Sequence, residues 1–233
     1  MRRRTIICTL VGVAAAGAIG LALANPDPLV RNELCRVWCP RSDSPQFWNA
    51  IIFNLSAGAI ISVIFYLLLV LLPDLRRHRT LKRSLVRRYE EFRRECIFQL
   101  LYASGSSAIA MSEVEALMMP NAFKEHFYGA LWNKAANAFN YDEDRRYLED
   151  TVLAAQQFKA EVDYVLNLAD IDDPKVFEAI KALSANLDVL TRATRDYDSV
   201  KSLFSNLWSI LTGWSFVDGQ YGRDRIRELL DAI

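Results

Sequence analysis

The sequence predicts an all-α membrane protein: an N-terminal transmembrane helix pair forming a hairpin, a basic juxtamembrane helix, and a cytoplasmic helical bundle. Three observations predict it. Residues 47–72 form an uncharged apolar run long enough to cross a bilayer core. Residues 74–94, directly after it, carry nine Lys/Arg against three Asp/Glu. Beyond residue 103, apolar side chains recur every three or four positions, and no stretch shows the alternation of a strand.

The charge is segregated along the chain. The formal net charge of zero conceals +3 in residues 1–24, +6 in residues 74–94 and −9 in residues 95–233. Basic residues flanking a span stay on the cytoplasmic side, so everything after residue 73 is expected in the cytoplasm, beneath the inner (plasma) membrane of a bacterium. An acidic body lacks the clustered positive surface that phosphate binding needs, which argues against a nucleic-acid partner. The basic segment next to a span is expected to contact anionic lipid headgroups through Arg76, Arg77, Arg79, Lys82 and Arg83.

Residues 1–24 have two readings. Ala22-Leu23-Ala24 has the small-x-small ending of a cleaved signal peptide, whereas an apolar run of about 20 residues suits a retained transmembrane helix. Gly12, Ala16 and Gly20 recur every four residues, as do Asn54, Gly58 and Ser62 in the second span, and such rows of small residues let membrane helices approach closely. The two rows are expected to pack on each other or on copies of themselves.

Residues 25–46 hold four of the seven prolines and form an extracytoplasmic connector. Its Cys35 and Cys39 are candidates for a disulfide, within the chain or between chains, or for free thiols. After Pro73, the stripe Leu81, Leu85, Tyr89, Phe92, Cys96 and Leu100 predicts one amphipathic juxtamembrane helix over residues 73–103, with His78 on its solvated face.

The acidic cytoplasmic domain, residues 104–233, opens at the break Ser104-Gly105-Ser106-Ser107. Ser112 to Glu115 reads as a capping box, and Pro120 ends or restarts that helix. Residues 121–139 read as one amphipathic helix and residues 142–169 as the next. Asp173 as N-cap and Pro174 at the first helical position start another, whose stripe from Val176 to Tyr197 alternates by four and three. That spacing suits both an intrachain bundle and a dimeric coiled coil. A helix from about Ser199 to Thr212 is closed by Gly213 and followed by a last one over residues 223–233. Phe204, Trp208 and Trp214 widen the apolar face there, which reads either as core or as a partner surface.

The inventory argues against catalysis. The two histidines stand beside no nucleophile, and there is no phosphate-binding glycine loop, no GxSxG and no HExxH. Acidic clusters at 142–144 and 170–173 precede helices, where negative charge favours the helix dipole. No enzyme activity, cofactor or metal is expected. The plan resembles that of small bacterial inner-membrane proteins with a helical cytoplasmic domain. The expectation is a non-enzymatic membrane protein whose helical domain binds a protein partner as adaptor, sensor or regulator. The alternative is a homo-oligomer that self-assembles in the membrane as a module or pore-forming effector.

Overall fold

Eleven residues separate Leu81 from Phe92, and between them Leu85 and Tyr89 keep the same helical face, so the chain enters its folded domain along one buried stripe. A computed structural model describes residues 2–24, 45–141, 146–169, 171–214 and 219–233. Cys35 and Cys39 lie outside the described residues, as do Asp142, Glu143, Asp144 and Asp170. Every regular element among the described residues is helical. The chain divides into two compact units, residues 1–77 and 78–233.

In the first unit, α1 (Arg2–Ala24) and α2 (Pro45–Tyr66) lie antiparallel. A π-helical turn (Leu67–Leu71) joins α2 to α3 (Leu72–Ala103), with the Leu72 N–H donating to the Leu67 carbonyl. Pro73 explains it. A proline inside a helix has no N–H and its ring presses on the carbonyl four residues back, and a widened turn just before it relieves both problems.

Among the described residues one helix is long and apolar enough to cross a membrane, in the run Ala50–Ala103. Its most apolar 18 residues have a mean hydropathy of 2.7 and are almost wholly unburied by the protein itself. Leu55 and Leu69 are 74% and 69% exposed. Among the described residues this is the one candidate span, beside a shorter apolar helix over Cys8–Leu21, where the sequence led to the expectation of a hairpin pair.

The faces that join α1 and α2 also differ from those expected. A Cβ added at Gly17 would stand 3.0 Å from Ile60 Cγ1, and one at Gly20 would meet the Ser56 hydroxyl and approach Ile52. Gly12 and Gly58 have nothing within 4 Å, and Ala16, Asn54 and Ser62 are exposed. The pair therefore closes on Gly17, Gly20 and Ser56: of the expected row Gly12/Ala16/Gly20, Gly20 meets the other helix, while Gly12 does not and Ala16 is exposed. Residues 16 and 17 are neighbours in sequence but about 100° apart around the helix.

The second unit contains the rest of α3, then α4 (Met111–Leu117), α5 (Pro120–Phe127), α6 (Ala130–Tyr141), α7 (Tyr147–Leu168), α8 (Pro174–Thr191), α9 (Tyr197–Thr212) and α10 (Arg225–Asp231). The α3 stripe is buried, with Leu85, Cys96, Ile97, Leu100 and Leu101 fully inaccessible. It packs on α7, where Phe158 lies 5.4 Å from both the Tyr89 and the Phe92 ring. Ile180, Leu183, Leu187 and Leu190 of α8 are buried within the same chain. The four-three alternation thus serves an intrachain bundle and leaves no seam for a dimeric coiled coil.

Three boundaries depart from expectation. Gly129, at φ 89°, divides the predicted helix 121–139 into α5 and α6, because a residue in the left-handed region cannot continue either. The α8 stripe stops at Thr191; Asp196 then caps α9, accepting from the Ser199 N–H at 2.9 Å. At α4 the capping box does not form: the N-cap is Ala110, and Ser112 lies inside the helix. Asp173 behaves as its sequence position implies, accepting from the Lys175 N–H at 2.8 Å.

Gly213 ends α9 at φ 62°. An added Cβ would lie 2.1 Å from the main-chain oxygen of Arg223, next to the bond from Gly222 N to Thr212 O at 3.0 Å. Gly213→Ala is expected to cost about 2–4 kcal/mol, from backbone strain and from displacing that strand of chain. Asn tolerates the left-handed backbone but carries the same Cβ, so Gly213→Asn should do little better. Urea denaturation of the full chain in detergent measures both.

Candidate functional site

The basic face of α3 is partly occupied by the end of the chain. Arg76, Arg77, Arg79 and Arg83 are exposed, whereas Lys82 is half-buried and donates to the main-chain oxygen of Asp231. His78, expected in solvent, is half-buried and donates from Nε2 to the main-chain oxygen of Ile233 at 2.6 Å. Further along, Arg93 is 4% exposed and pairs with Asp224, which also accepts from Tyr89 Oη at 2.7 Å and caps α10 through the Arg227 N–H at 3.0 Å. Arg93 Nη2 donates to the Met118 carbonyl at 2.5 Å. Arg227 in turn pairs with Glu90 and Asp231. Burial opposes its charge, but those two carboxylates outweigh burial and hold its pKa above the usual value. This network binds α10 to α3.

The apolar patch expected at the end of the chain is closed as well. Phe204 is 3% exposed, edge-on to Trp132 at 4.8 Å and to Phe139 at 5.0 Å. Trp208 is half-buried between Trp132 at 4.9 Å and Phe123 at 6.2 Å. Trp214 is half-buried beside Tyr221, on whose other approach Lys124 Nζ stands 3.7 Å from the ring centroid. Phe204 and Trp208 belong to the aromatic core that joins α5, α6 and α9, whereas Trp214 packs on Tyr221 beyond the end of α9. Amphipathic spacing alone does not distinguish a core face from a docking face, and the partner helices decided it.

Two other clefts hold polar groups that bond within the chain. Between α7 and α8, Asp163 accepts from Lys159 Nζ at 2.7 Å and from Ser184 Oγ at 2.5 Å. Desolvation opposes its charge, yet those bonds prevail and hold its carboxyl below the usual range. Between α3 and α7, Arg88 bonds Gln157 at 3.2 Å and Glu91 at 2.9 Å. Among the described residues no three His, Cys, Asp or Glu side chains come within metal-ligating range of one another.

A third cleft is different. Between α6 and α9 lies a groove of about 500 Å³, with Trp132, Ala136, Val200 and Phe204 in its lining. Along one wall stand Asn133, Asn137 and Asn140, and along the other Tyr197, Lys201 and Ser205. None of these six polar side chains bonds or pairs with another residue of the described structure. Comparison with protein-family models, curated proteins and solved structures finds no match.

The sequence carried one overlooked signal for this groove. Asn is among the poorer helix formers, and three at i, i+4 and i+7 in a 12-residue helix fall on a single face. Nothing in the core requires them there.

Proposed function

We propose that this chain is a non-enzymatic, membrane-anchored docking protein whose helical domain binds a protein partner in the cytoplasm, with the apolar run of α2 as anchor and the basic face of α3 against anionic headgroups. The observation that carries this reading is the groove between α6 and α9, where six polar side chains without partners line a cleft over buried aromatic rings. In the cleft between α7 and α8, by contrast, Asp163 is bonded by Lys159 and Ser184. Convergent polar groups with no partner in the chain, over an apolar floor, are the composition of a recognition site. Extraction of the full chain in mild detergent at native abundance, followed by native mass spectrometry, tests it. A second protein at fixed ratio is expected; a preparation holding only this chain would overturn the reading.

One observation favours self-assembly as a second reading. Asn54, Gly58 and Ser62 share an exposed face of α2 that α1 does not cover, and Asn54 bonds no other described residue. Ser62 only returns a bond to the Gly58 carbonyl at 2.8 Å. A carboxamide in hydrocarbon seeks a partner on a neighbouring helix, at about 0.6–2 kcal/mol per bond. Gly58→Leu is then expected to dissociate homo-oligomers while leaving the α1/α2 pair intact, and Gly20→Leu to open that pair, since Gly20 already abuts Ser56. An oligomeric mass unchanged by Gly58→Leu would remove this reading.

A further inference from the structure

We infer that the groove between α6 and α9 receives an extended peptide segment of the partner protein, its main chain bonded by Asn133 and Asn137 and an acidic side chain held by Lys201. The inference rests on the docking reading above and specifies its ligand.

The carboxamides indicate an extended main chain. Each offers an acceptor oxygen and donor N–H groups, the complement of the N–H and C=O of a peptide unit. Along α6 four residues advance about 6 Å. Peptide units on one side of an extended chain recur every ~6.6–6.8 Å. Asn133 and Asn137 therefore meet successive outward-facing peptide units, with side-chain torsions absorbing the small mismatch, whereas Asn140, about 4.5 Å further on, falls short of the next unit and flanks the row. A helical ligand would not use this row, because its own main-chain groups are bonded internally. A purely apolar ligand would desolvate the carboxamides without replacing their water, which opposes binding.

The floor and far wall supply selectivity. Trp132 and Ala136 are partly exposed above the buried Val200 and Phe204, giving one apolar seat for a ligand side chain. Lys201 is exposed, is the one charged residue of the lining, and makes no ion pair. Its complement is a single carboxylate, held at the rim and reinforced by the Tyr197 and Ser205 hydroxyls. One cation is too little for a lipid surface or a nucleic acid, both of which need clustered positive charge.

A random dodecapeptide phage library, selected against the full chain in detergent micelles, is the test. The expected result is enrichment of proline-poor sequences with an acidic residue at a fixed distance from an apolar one. Binding of the selected peptides should weaken about tenfold in Asn137→Ala. In Lys201→Glu the charge preference should switch from acidic to basic, a readout that a misfolded variant does not produce. Both positions are exposed, so unchanged thermal melting by circular dichroism is expected alongside. No enrichment, or enrichment that is equal on wild type and Asn137→Ala, overturns the inference. The co-purification separates the two levels: a partner retained undiminished by Asn137→Ala/Lys201→Glu keeps the docking reading and removes this one, whereas a wild-type chain that retains no partner removes both.

Discussion

Asp224→Ala will destabilise the helical domain by about 3–4 kcal/mol and release α10 from α3. Arg93 has a side chain 5% exposed, and Asp224 is its only carboxylate partner among the described residues. Removing one member of a buried pair leaves the other charged and desolvated, which typically costs ~3–5 kcal/mol. The lower part of that range applies, because Arg93 keeps its bond to the Met118 carbonyl and Asp224 is itself partly exposed. The same substitution deletes the N-cap of α10 and the acceptor of Tyr89 Oη, and a lost cap alone is worth about 1 kcal/mol. Urea denaturation of the full chain in detergent gives the size, and hydrogen exchange at residues 225–233 reports the release. Arg93 Nε is buried without a partner even in the native pair. The double substitution Arg93→Met/Asp224→Leu should therefore recover much of the loss, since apolar replacement of a buried pair removes both desolvation costs. Glu228→Ala is the control: its pair with Arg223 is 53% and 65% exposed, where such bridges contribute little, and the midpoint should barely move.

Phe158→Ala will lower stability by about 3–5 kcal/mol, the range for deleting a fully buried aromatic ring. Phe158 has no exposed surface and is stacked at 22° on Phe92, with Tyr89 equally near. The rings belong to α3 and α7, long helices that cannot collapse into the void without losing their other contacts, so the cavity persists. In a domain of this size each kcal/mol shifts the melting midpoint by about 2–4 °C, so a fall of roughly 6–20 °C is expected by circular dichroism. Phe158→Leu keeps most of the volume and should cost less than half as much. Phe177→Ala, at a site 37% exposed, should change the midpoint by no more than a degree or two. An equal effect at the two phenylalanines would show that the α3/α7 contact is not where the domain's stability resides.

How far the sequence was legible follows from the range of the forces involved. Leu81 to Leu100, Ile180 to Leu190 and Val200 to Leu211 were readable as buried stripes because 3.6-residue periodicity is a local property, and each is buried. Asp173 and Gly213 were readable as helix ends because capping is satisfied within a few residues. Gly129 was passed over because a lone glycine inside an apolar period is compatible with either a weak helix or a break. Its backbone angle was set by where α5 and α6 must each dock. The end of α8 was misplaced for a related reason: Thr194 and Tyr197 continued the period, but both are exposed and the chain turns before them.

The candidate site was less legible than the fold. Phe204 and Trp208 have the composition of a docking patch, and only the position of Trp132, on a helix more than 70 residues earlier, showed them to be covered. The rows Gly12/Ala16/Gly20 and Asn54/Gly58/Ser62 were complementary in sequence, yet of the two rows Gly20 alone sits in the contact, with Gly17 and Ser56. Small-residue spacing shows which faces allow close approach, not which one is used. By itself, the sequence determined that the chain is helical, that one long apolar run precedes a basic collar, and which stripes are buried, because these depend on spacing along the chain. Which face meets which, where the end of the chain clasps α3, and that three asparagines stand unpartnered over an aromatic floor were decided only by tertiary structure. Those features arise from side chains far apart in sequence, and packing alone fixes which polar groups are satisfied and which remain free.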